Sequence, residues 1–189
     1  TDVGSTKSLL CRKSHAALIN KATFVGSHPM AGSAKTGLEN ADPQLFTQRS
    51  CFVTPLTETP QDAVQKIVRF WKALDMQVAT VSPEKHDEIV AHLSHLPHLL
   101  ATTLAVTLGQ TDPSWTPFSG NGLRDTSRIA SGSPIMWRDI CEQNREEILR
   151  SLNAFEDQLH EIQSALHNRD FFRLQHIFER GKRYRDSLD

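Results

Sequence analysis

The chain has 189 residues, of which 38% are hydrophobic and 23% charged, and its formal net charge at pH 7 is -1. This composition is typical of an ordinary globular protein and excludes disordered and fibrous classes. The near-zero net charge excludes a global electrostatic footprint for nucleic acid or for an anionic membrane surface.

The cysteines indicate a reducing compartment. Cys11, Cys51 and Cys141 form an odd, widely spaced set without a CxxC motif, which argues against a disulfide framework or a zinc ribbon.

The longest apolar run, Leu99 to Leu108, is interrupted by threonines and is too short to cross a bilayer, and no signal peptide is visible. We therefore expect a cytoplasmic protein that does not contact a membrane. The sequence has no initiator Met and opens on what resembles the end of a strand, so we expect a fragment of a longer chain.

Residues 1 to 82 alternate between strand and helix patterns, which predicts part of an α/β sheet. Thr59 and Pro60 have the form of an N-cap and a first helical residue. His28 directly follows a predicted strand, and open α/β sheets place ligands at such strand ends, so His28 is the first candidate for chemistry. The predicted elements are a turn after a strand end at 2–5, a helix to about 20, strands at 22–27, 51–55 and 76–81, and a helix from 60 to 74.

From Ser82 onward the pattern is helical, so the predicted domains are residues 1–82 and 83–189. Ser82 is a suitable N-cap for a helix that runs to about Leu108 with a disturbance at Pro97. The glycine-rich segment 109–132 is predicted to be a long ordered loop, with one short helix at most, and such loops are usually functional.

Ser133 and Pro134 are expected to start the next helix. Apolar residues then recur at alternating spacings of four and three, which predicts a helix of roughly 30 residues that must pack on another helix, from this subunit or a second one. These residues are Ile148, Leu152, Phe155, Leu159, Ile162 and Leu166. A last helix, from about 170 to 187, is expected to bury Phe171, Phe172, Leu174, Ile177 and Phe178.

Four of the nine histidines fall at positions 86, 92, 95 and 98. On a helix this spacing favours a solvated face over a metal cluster, since metal sites are the rarer explanation of clustered histidines. Two arginines, Arg124 and Arg128, lie in the glycine-rich loop, where a guanidinium is either a solvated surface group or a clamp for a carboxylate. Trp137 is either a core residue or one that projects toward this loop.

Four motifs occur in a fixed order over residues 1 to 142. They are Asp2-Val3-Gly4-Ser5-Thr6-Lys7; Gly26-Ser27-His28-Pro29-Met30-Ala31-Gly32-Ser33; His86-Asp87 followed by Ser94-His95-Leu96-Pro97-His98; and Arg124-Asp125-Thr126-Ser127-Arg128-Ile129-Ala130 leading to Pro134-Ile135-Met136-Trp137. Together they resemble the prephenate and arogenate dehydrogenases of tyrosine biosynthesis.

The resemblance implies a fold of class α+β or mostly α. Its members combine a dinucleotide-binding domain that carries a glycine-rich phosphate loop with a C-terminal helical domain that dimerises. This chain has no GxGxxG motif. We therefore expect the C-terminal part of a Rossmann-like α/β domain, followed by an all-helical dimerisation domain. The implied reaction is oxidative decarboxylation of prephenate to 4-hydroxyphenylpyruvate, with NAD or NADP as hydride acceptor.

The resemblance also implies roles for particular residues. His28 matches the histidine that takes the proton of the substrate's 4-hydroxyl, and Ser5 matches the serine that orients this histidine beside the nicotinamide. Gly4 and Ser5 would lie on the cofactor side. Arg128 matches the arginine that binds a substrate carboxylate. The other implied substrate-binding residues are His86, His98, Ser33 and Trp137, the last reaching the neighbouring subunit's site; no metal is expected.

Three alternatives remain open. Arogenate, which differs from prephenate in carrying an amino group in place of the keto group, is the nearest rival substrate. A non-catalytic dimeric module that binds tyrosine or prephenate would account for the missing phosphate loop, and a histidine-cluster metalloprotein would account for the histidines. The choice between NAD and NADP is also open, because the residue that reads the ribose is not among the motifs. Inhibition by tyrosine is open as well.

Overall fold

The computed structural model describes residues 1–32 and 37–188. Contacts group the chain into two compact units, Thr1–Ile148 and a C-terminal unit that begins at Leu149. The described residues form three strands, β1 Gly26–Pro29, β2 Ser50–Thr54 and β3 Gln77–Thr80, and eight α-helices. The helices are α1 Ser8–Leu18, α2 Gln61–Ala73, α3 Pro83–Val90, α4 Leu96–Leu108, α5 Asn121–Ser127, α6 Pro134–Gln143, α7 Arg145–His167 and α8 Phe171–Asp186.

The three strands form one mixed sheet in the order β1-β2-β3. β2 and β3 are parallel neighbours joined through α2, which is the strand-helix-strand unit that the sequence predicts. β1 runs antiparallel to β2, and His28 lies opposite Phe52. The prediction that the first strand ends at residue 27 was wrong, because pairing with β2 extends it to Pro29. His28 is therefore held within the ladder and does not lie in the loop beyond it.

One face of the sheet packs on α2 to form the core of this region. Val53 and Cys51 from β2 meet Val64 and Trp71 from α2, together with Val25 and Met76. α2 begins at Gln61, after Pro60, and its N-terminus has no side-chain cap. The predicted cap, Thr59, instead accepts a hydrogen bond from the Leu56 amide through its hydroxyl (3.0 Å). That contact closes the turn before the helix.

α3 and α4 form one helical stretch that is disturbed where the sequence predicts. The Ser82 hydroxyl accepts a hydrogen bond from the Lys85 amide (3.1 Å) and caps α3. Residues 91–95 form a π-helical turn just before Pro97, whose missing amide hydrogen prevents regular α-helical bonding there. By length and composition alone, Pro83–Leu108 could cross a membrane, a test that core helices of soluble proteins also pass.

The segment 109–132 has more regular structure than the sequence predicts. Besides α5 it contains two 3₁₀ turns, Pro113–Phe118 and Arg128–Ser131. The second of these turns packs against α4, as does α5. This packing brings the glycine-rich segment to the helix that carries His98.

The predicted single helix after Ser133 is interrupted at Asn144. Ser133 caps α6 as expected, through a bond from the Met136 amide (3.5 Å). α6 then ends at Gln143 and α7 starts at Arg145, because Asn144 leaves helical geometry (φ -116°, ψ 28°). The Asn144 side-chain amide donates to the Asp87 carbonyl oxygen (2.8 Å), so a long-range contact fixes the break.

In the C-terminal unit, α7 and α8 are joined by ion pairs. Arg180 and Arg173 both meet Glu161, and Asp170 caps α8 by accepting a bond from the Arg173 amide (2.9 Å). The prediction that α8 buries its phenylalanines was wrong for this single chain. Leu174 and Ile177 are half-buried, whereas Phe171, Phe172 and Phe178 are exposed.

Candidate functional site

His28 is the first member of a buried hydrogen-bonded row. Its Nδ1 lies 2.8 Å from Nε2 of His86, and Nδ1 of His86 lies 2.8 Å from Oδ1 of Asp87. The exposed fractions of His28, His86 and Asp87 are 9%, 0% and 3%. The adjacent residues 86 and 87 of α3 therefore connect the sheet histidine to a carboxylate inside the protein.

The Asp87 carboxylate also caps α1. Its two oxygens accept the backbone amides of Lys7 and Ser8, both at 2.8 Å. Burial raises the pKa of Asp87, but the hydrogen bonds from His86 and from Ser8 and Lys7 outweigh burial and hold that pKa below its usual value. The carboxylate is therefore ionised at neutral pH, and the positive end of the α1 dipole favours the charge.

The environment of His28 favours a neutral imidazole. Burial, followed by the proximity of His86 and Lys7, lowers the pKa of His28 to about 3. A neutral imidazole carries one ring lone pair and can accept a proton. His28 therefore has the state that a general base requires at physiological pH.

A second row of groups follows the first. Asn144, which donates to the Asp87 carbonyl oxygen, also lies 3.2 Å from Nδ1 of His95. Burial lowers the pKa of His95 to about 4 despite the opposing effect of Asp87. His95 meets the edge of Trp137, whose indole stacks on His98 with ring centroids 3.5 Å apart and planes 8° apart. Polar and aromatic contacts thus continue from His28 to the stack.

Arg128 is connected to this stack by the backbone that leads to Gly132, and not by a side-chain bond. It begins the 3₁₀ turn that packs on α4, and Gly132 directly follows this turn. A Cβ added at Gly132 would lie 2.7 Å from Nε1 of Trp137 and 3.1 Å from Cε1 of His98. The Arg128 side chain is exposed and forms no ion pair with the described residues. Its guanidinium is free to bind an anionic ligand.

The resemblance implies that Ser5 orients His28, and this role stays a prediction. Within residues 1–32 and 37–188, Ser5 forms no hydrogen bond with His28. It lines a hollow of about 720 Å³ together with Gly4, Ile135 and Met136. Asp2 shapes this loop by accepting the Gly4 and Ser27 amides (2.8 and 2.9 Å) and pairing with the buried Lys7. The remaining predicted residue, Ser33, lies outside the described residues.

One prediction about the histidines was wrong. A solvated face does not describe His86, His95 and His98, which are all buried, whereas His92 is exposed. Both ring nitrogens of His86 are hydrogen-bonded inside the protein. The implied contact of His86 with substrate stays a prediction. The stack on His98 places Trp137 against its own chain. Its reach to a neighbouring subunit stays a prediction.

Sequence reasoning missed Asp87, His95 and Asn144 as parts of the site. Asp87 had a signal, since it directly follows His86, and carboxylates commonly orient histidines. In α3 its carboxylate reaches the amides of Lys7 and Ser8 at the start of α1. The described residues contain no group of three or more side chains that could hold a metal ion.

The arrangement fits proton transfer to His28, and the turn that packs on α4 carries the exposed Arg128. A tethered neutral imidazole can take a proton, and Arg128 can pair with a carboxylate in a bidentate manner. The apolar stack of Trp137 on His98 offers a flat surface for a ring. The hollow at Gly4 and Ser5 is large enough for a flat heterocycle such as nicotinamide.

Comparisons with known proteins agree along the whole chain. Residues 1–80 match the family model for the nucleotide-binding domain of prephenate dehydrogenase, and residues 82–180 match that for its dimerization domain. Prephenate dehydrogenase of Bacillus subtilis is 35% identical over 191 residues, which cover 100% of this chain and 52% of that protein.

Two solved structures are similar in fold. Prephenate dehydrogenase from Aquifex aeolicus, in complex with hydroxyphenyl propionate and NAD+, superposes with a TM-score of 0.91 at 31% identity, covering 100% of this chain and 66% of that one. Synechocystis arogenate dehydrogenase gives a TM-score of 0.86 at 25% identity, covering 100% and 68%. The chain spans about half the length of the curated prephenate dehydrogenase from Bacillus subtilis. With both family models matched in sequence order, the chain belongs to the prephenate dehydrogenase family.

Proposed function

We propose that the protein oxidatively decarboxylates prephenate to 4-hydroxyphenylpyruvate, with NAD or NADP as the hydride acceptor. One observation carries this proposal: His28 is a neutral, buried imidazole bound through Nδ1 to the Asp87–His86 pair. That is the state and placement of a base that takes a proton from a bound alcohol. Membership of the prephenate dehydrogenase family supports prephenate as the alcohol.

His28 would act on the 4-hydroxyl of the substrate ring. Its free ring nitrogen accepts the hydroxyl proton, and the electron pair of the O–H bond forms the C4 carbonyl. The hydrogen on C4 leaves with both electrons of the C4–H bond as hydride. The electrons of the bond to the ring carboxylate then enter the ring as carbon dioxide departs. The ring oxygen takes the proton back as the ring becomes aromatic. The proton that His28 accepts is therefore returned within one turnover.

Substrate binding would use Arg128, His98 and Trp137. The Arg128 guanidinium is exposed and can form two parallel bonds to a carboxylate, which orients the ring. The Trp137–His98 stack supplies an apolar surface beside it. Ser33 is proposed to contact the substrate on the strength of the family motif alone. His86 is buried, so we propose that it contributes through its hydrogen bond to His28.

The cofactor would meet this chain at Gly4 and Ser5. The hollow that these residues line suits a nicotinamide ring, and the Aquifex aeolicus relative binds NAD+. Bound there, the oxidised nicotinamide would supply the hydride acceptor. The chain's own contribution is to hold the loop, through the bonds of Asp2 to the Gly4 and Ser27 amides.

The wider assembly is also part of the proposal. We propose a homodimer formed through the helical domain, with the domains divided between residues 82 and 83. The family models support this division, since they match residues 1–80 and 82–180. The exposed phenylalanines of α8 support such an interface. We further propose that the protein works in the cytoplasm without contacting membranes or nucleic acid, and that tyrosine, which resembles the product, inhibits it.

Arogenate is the second candidate substrate. The similarity to Synechocystis arogenate dehydrogenase favours considering it. Prephenate and arogenate share the ring, the 4-hydroxyl and the ring carboxylate, so His28 and Arg128 would act on both. The ratio of kcat/KM for the two compounds decides between them.

The test is turnover by the intact protein. Prephenate with NAD+ or NADP+ should give reduced cofactor and carbon dioxide in equal amounts. Arogenate replaces prephenate in a parallel assay, and 4-hydroxyphenylpyruvate is identified by mass spectrometry. Absence of reduced cofactor with both substrates and both cofactors, in protein that binds prephenate, would overturn the proposal and favour a non-catalytic binding module.

A further inference from the structure

His86 and Asp87 belong to one of the four motifs, yet the proposed reaction gives neither of these buried side chains a step. Both are buried, both belong to α3, and they form the far end of the row that begins at His28. Neither can reach a ligand directly, since their polar atoms are already bonded inside the protein. Any role in the reaction must therefore act through His28.

The hydrogen bonds determine where each proton lies. Asp87 accepts from Lys7 and Ser8 and is ionised, so it can only accept from His86 as well. Nδ1 of His86 must then carry a proton, which leaves Nε2 of this ring to accept from His28. His28 must donate to that acceptor from its own Nδ1. The lone pair of His28 consequently lies on Nε2.

This tautomer differs from the one that a free histidine prefers. In water, the neutral side chain favours the proton on Nε2, and that form would have no lone pair there. A buried base with the wrong tautomer cannot take a proton until its ring is rearranged. The row thus changes the state of His28 as well as its orientation.

Backbone groups hold Asp87 in place. Its carboxylate receives the first amides of α1, and its carbonyl oxygen receives the Asn144 side chain (2.8 Å). Because both ends of the residue are fixed, the carboxylate cannot turn away from His86. The same charge lies close enough to stabilise an imidazolium formed when His28 takes a proton.

We propose that His86 and Asp87 are positioning residues for His28, which fix its proton on Nδ1 and its lone pair on Nε2 and stabilise the protonated ring. The inference rests on the proposed function for its kinetic consequence but not for its structural one. The tautomer is a property of the protein without substrate. It can be measured whether or not prephenate is the substrate.

The direct test is nitrogen NMR of the intact protein labelled with ¹⁵N-histidine. Wild-type His28, assigned by comparison with His28→Asn, should show a protonated Nδ1 and an unprotonated Nε2. In Asp87→Asn the amide cannot accept all three bonds, so part of the His28 signal should move to the other tautomer. A wild-type spectrum with the His28 proton on Nε2 overturns the proposal.

Kinetics with prephenate then test the consequence. Asp87→Asn should lower kcat on the order of 10²-fold with KM within a few-fold, because substrate binding is not affected. His86→Gln offers an oxygen near the position of Nε2 and should retain more activity than His86→Phe, which offers no acceptor. Exposed His92→Gln, on the same helical stretch, is the control and should match wild type.

The outcomes separate the two proposals. Folded Asp87→Asn and His86→Phe that keep wild-type kcat overturn the positioning role. If His86→Phe fails to fold, the wild-type spectrum and His86→Gln still decide it. A protein that does not oxidise prephenate, yet shows the Nδ1-protonated His28 and loses it in Asp87→Asn, refutes the proposed function and supports the positioning role.

Discussion

The hydrogen-bonded row of His28, His86 and Asp87, called the cluster below, differs from the helix pair α7–α8 in where its side chains find partners. In the cluster, buried polar atoms of His28, His86 and Asp87 find partners within the chain. In the helix pair, the charged groups are paired, whereas Phe171 and Phe178 remain exposed. Buried polar groups without partners are costly, and so are large apolar groups left in water.

The difference indicates where each region obtains its stability. The cluster is closed: a single chain supplies every hydrogen bond that the site geometry needs. The face of α8 is open, and only another apolar surface can cover it, as in a dimer. Substitutions in the cluster should disturb the closed region, whereas a charge on α8 should change the contacts of the open face.

Loss of His28 should have the largest effect. His28→Asn removes the base, and general base catalysis contributes up to about 10⁴-fold, so we expect turnover of prephenate to fall by about 10³-fold or more. Prephenate affinity, measured by calorimetry, should change little. His92→Asn makes the same replacement at an exposed position and should keep full activity. Normal turnover by His28→Asn would remove His28 from the reaction.

A charge on the open face should separate the subunits. Burying a phenylalanine contributes about 1.5–3 kcal/mol, so Phe171→Glu should raise the dimer Kd by about 10² or more. Analytical ultracentrifugation over a range of concentrations measures it. Asn153→Glu places the same charge on an exposed part of α7 away from its apolar stripe and should leave the Kd unchanged. Equal Kd values for the two variants would show that α8 does not form the interface.

Removal of the free guanidinium should weaken substrate binding. A charge-assisted bond contributes about 1.5–3 kcal/mol, so Arg128→Gln should raise KM for prephenate by about 10- to 10²-fold, with a smaller change in kcat. Arg124→Gln removes an exposed arginine from the same segment and is the matched control. If both variants raise KM equally, general charge attraction rather than Arg128 binds the substrate.

Much of this closed region could be predicted from local sequence. The cap at Ser82 and the disturbance at Pro97 depend on neighbouring residues, and both were predicted correctly in kind. The strand around His28 was misplaced by two residues because its end depends on pairing with β2, which is distant in the chain.

The remaining features depend on contacts that no local pattern contains. The bond between Asn144 and Asp87 joins residues 57 positions apart, and those from Lys7 and Ser8 to Asp87 join residues about 80 apart. The apolar stripe of α8 was visible in the sequence, but nothing in residues 1–32 and 37–188 covers its phenylalanines. Periodicity identifies an apolar face and does not identify its partner.

The closed cluster should make the protein sensitive to acid. The folded pKa values of His28 and His95, about 3 and 4, lie below the ordinary value of 6.5, so the unfolded state binds more protons between these limits. The free energy of unfolding should therefore fall as pH drops below 6.5, by up to about 1.4 kcal/mol per pH unit for each histidine. Asp87, with a lowered pKa, adds to the loss below about pH 4 in the same direction.

Urea unfolding between pH 7.5 and 4.5 measures this dependence. His95→Gln should reduce the slope, whereas His92→Gln, which removes an exposed histidine, should leave it unchanged. A free energy of unfolding that stays constant from pH 7 to pH 5 would contradict the assignment of neutral buried histidines.

The smallest effect is expected where Gly132 meets the Trp137–His98 stack. Gly132→Ala places a Cβ 2.7 Å from Nε1 of Trp137, so the indole must move off His98. An aromatic pair contributes about 0.5–1.5 kcal/mol beyond its buried area, and we expect a loss of stability of about 1 kcal/mol with a blue- or red-shifted Trp137 emission. Gly122→Ala is the matched control, since a Cβ there meets nothing within 4 Å. It lies in α5, where alanine is the better helix former, and should be neutral or slightly stabilising. Equal free energies of unfolding for the two variants would mean that the Trp137–His98 stack does not stabilise the protein.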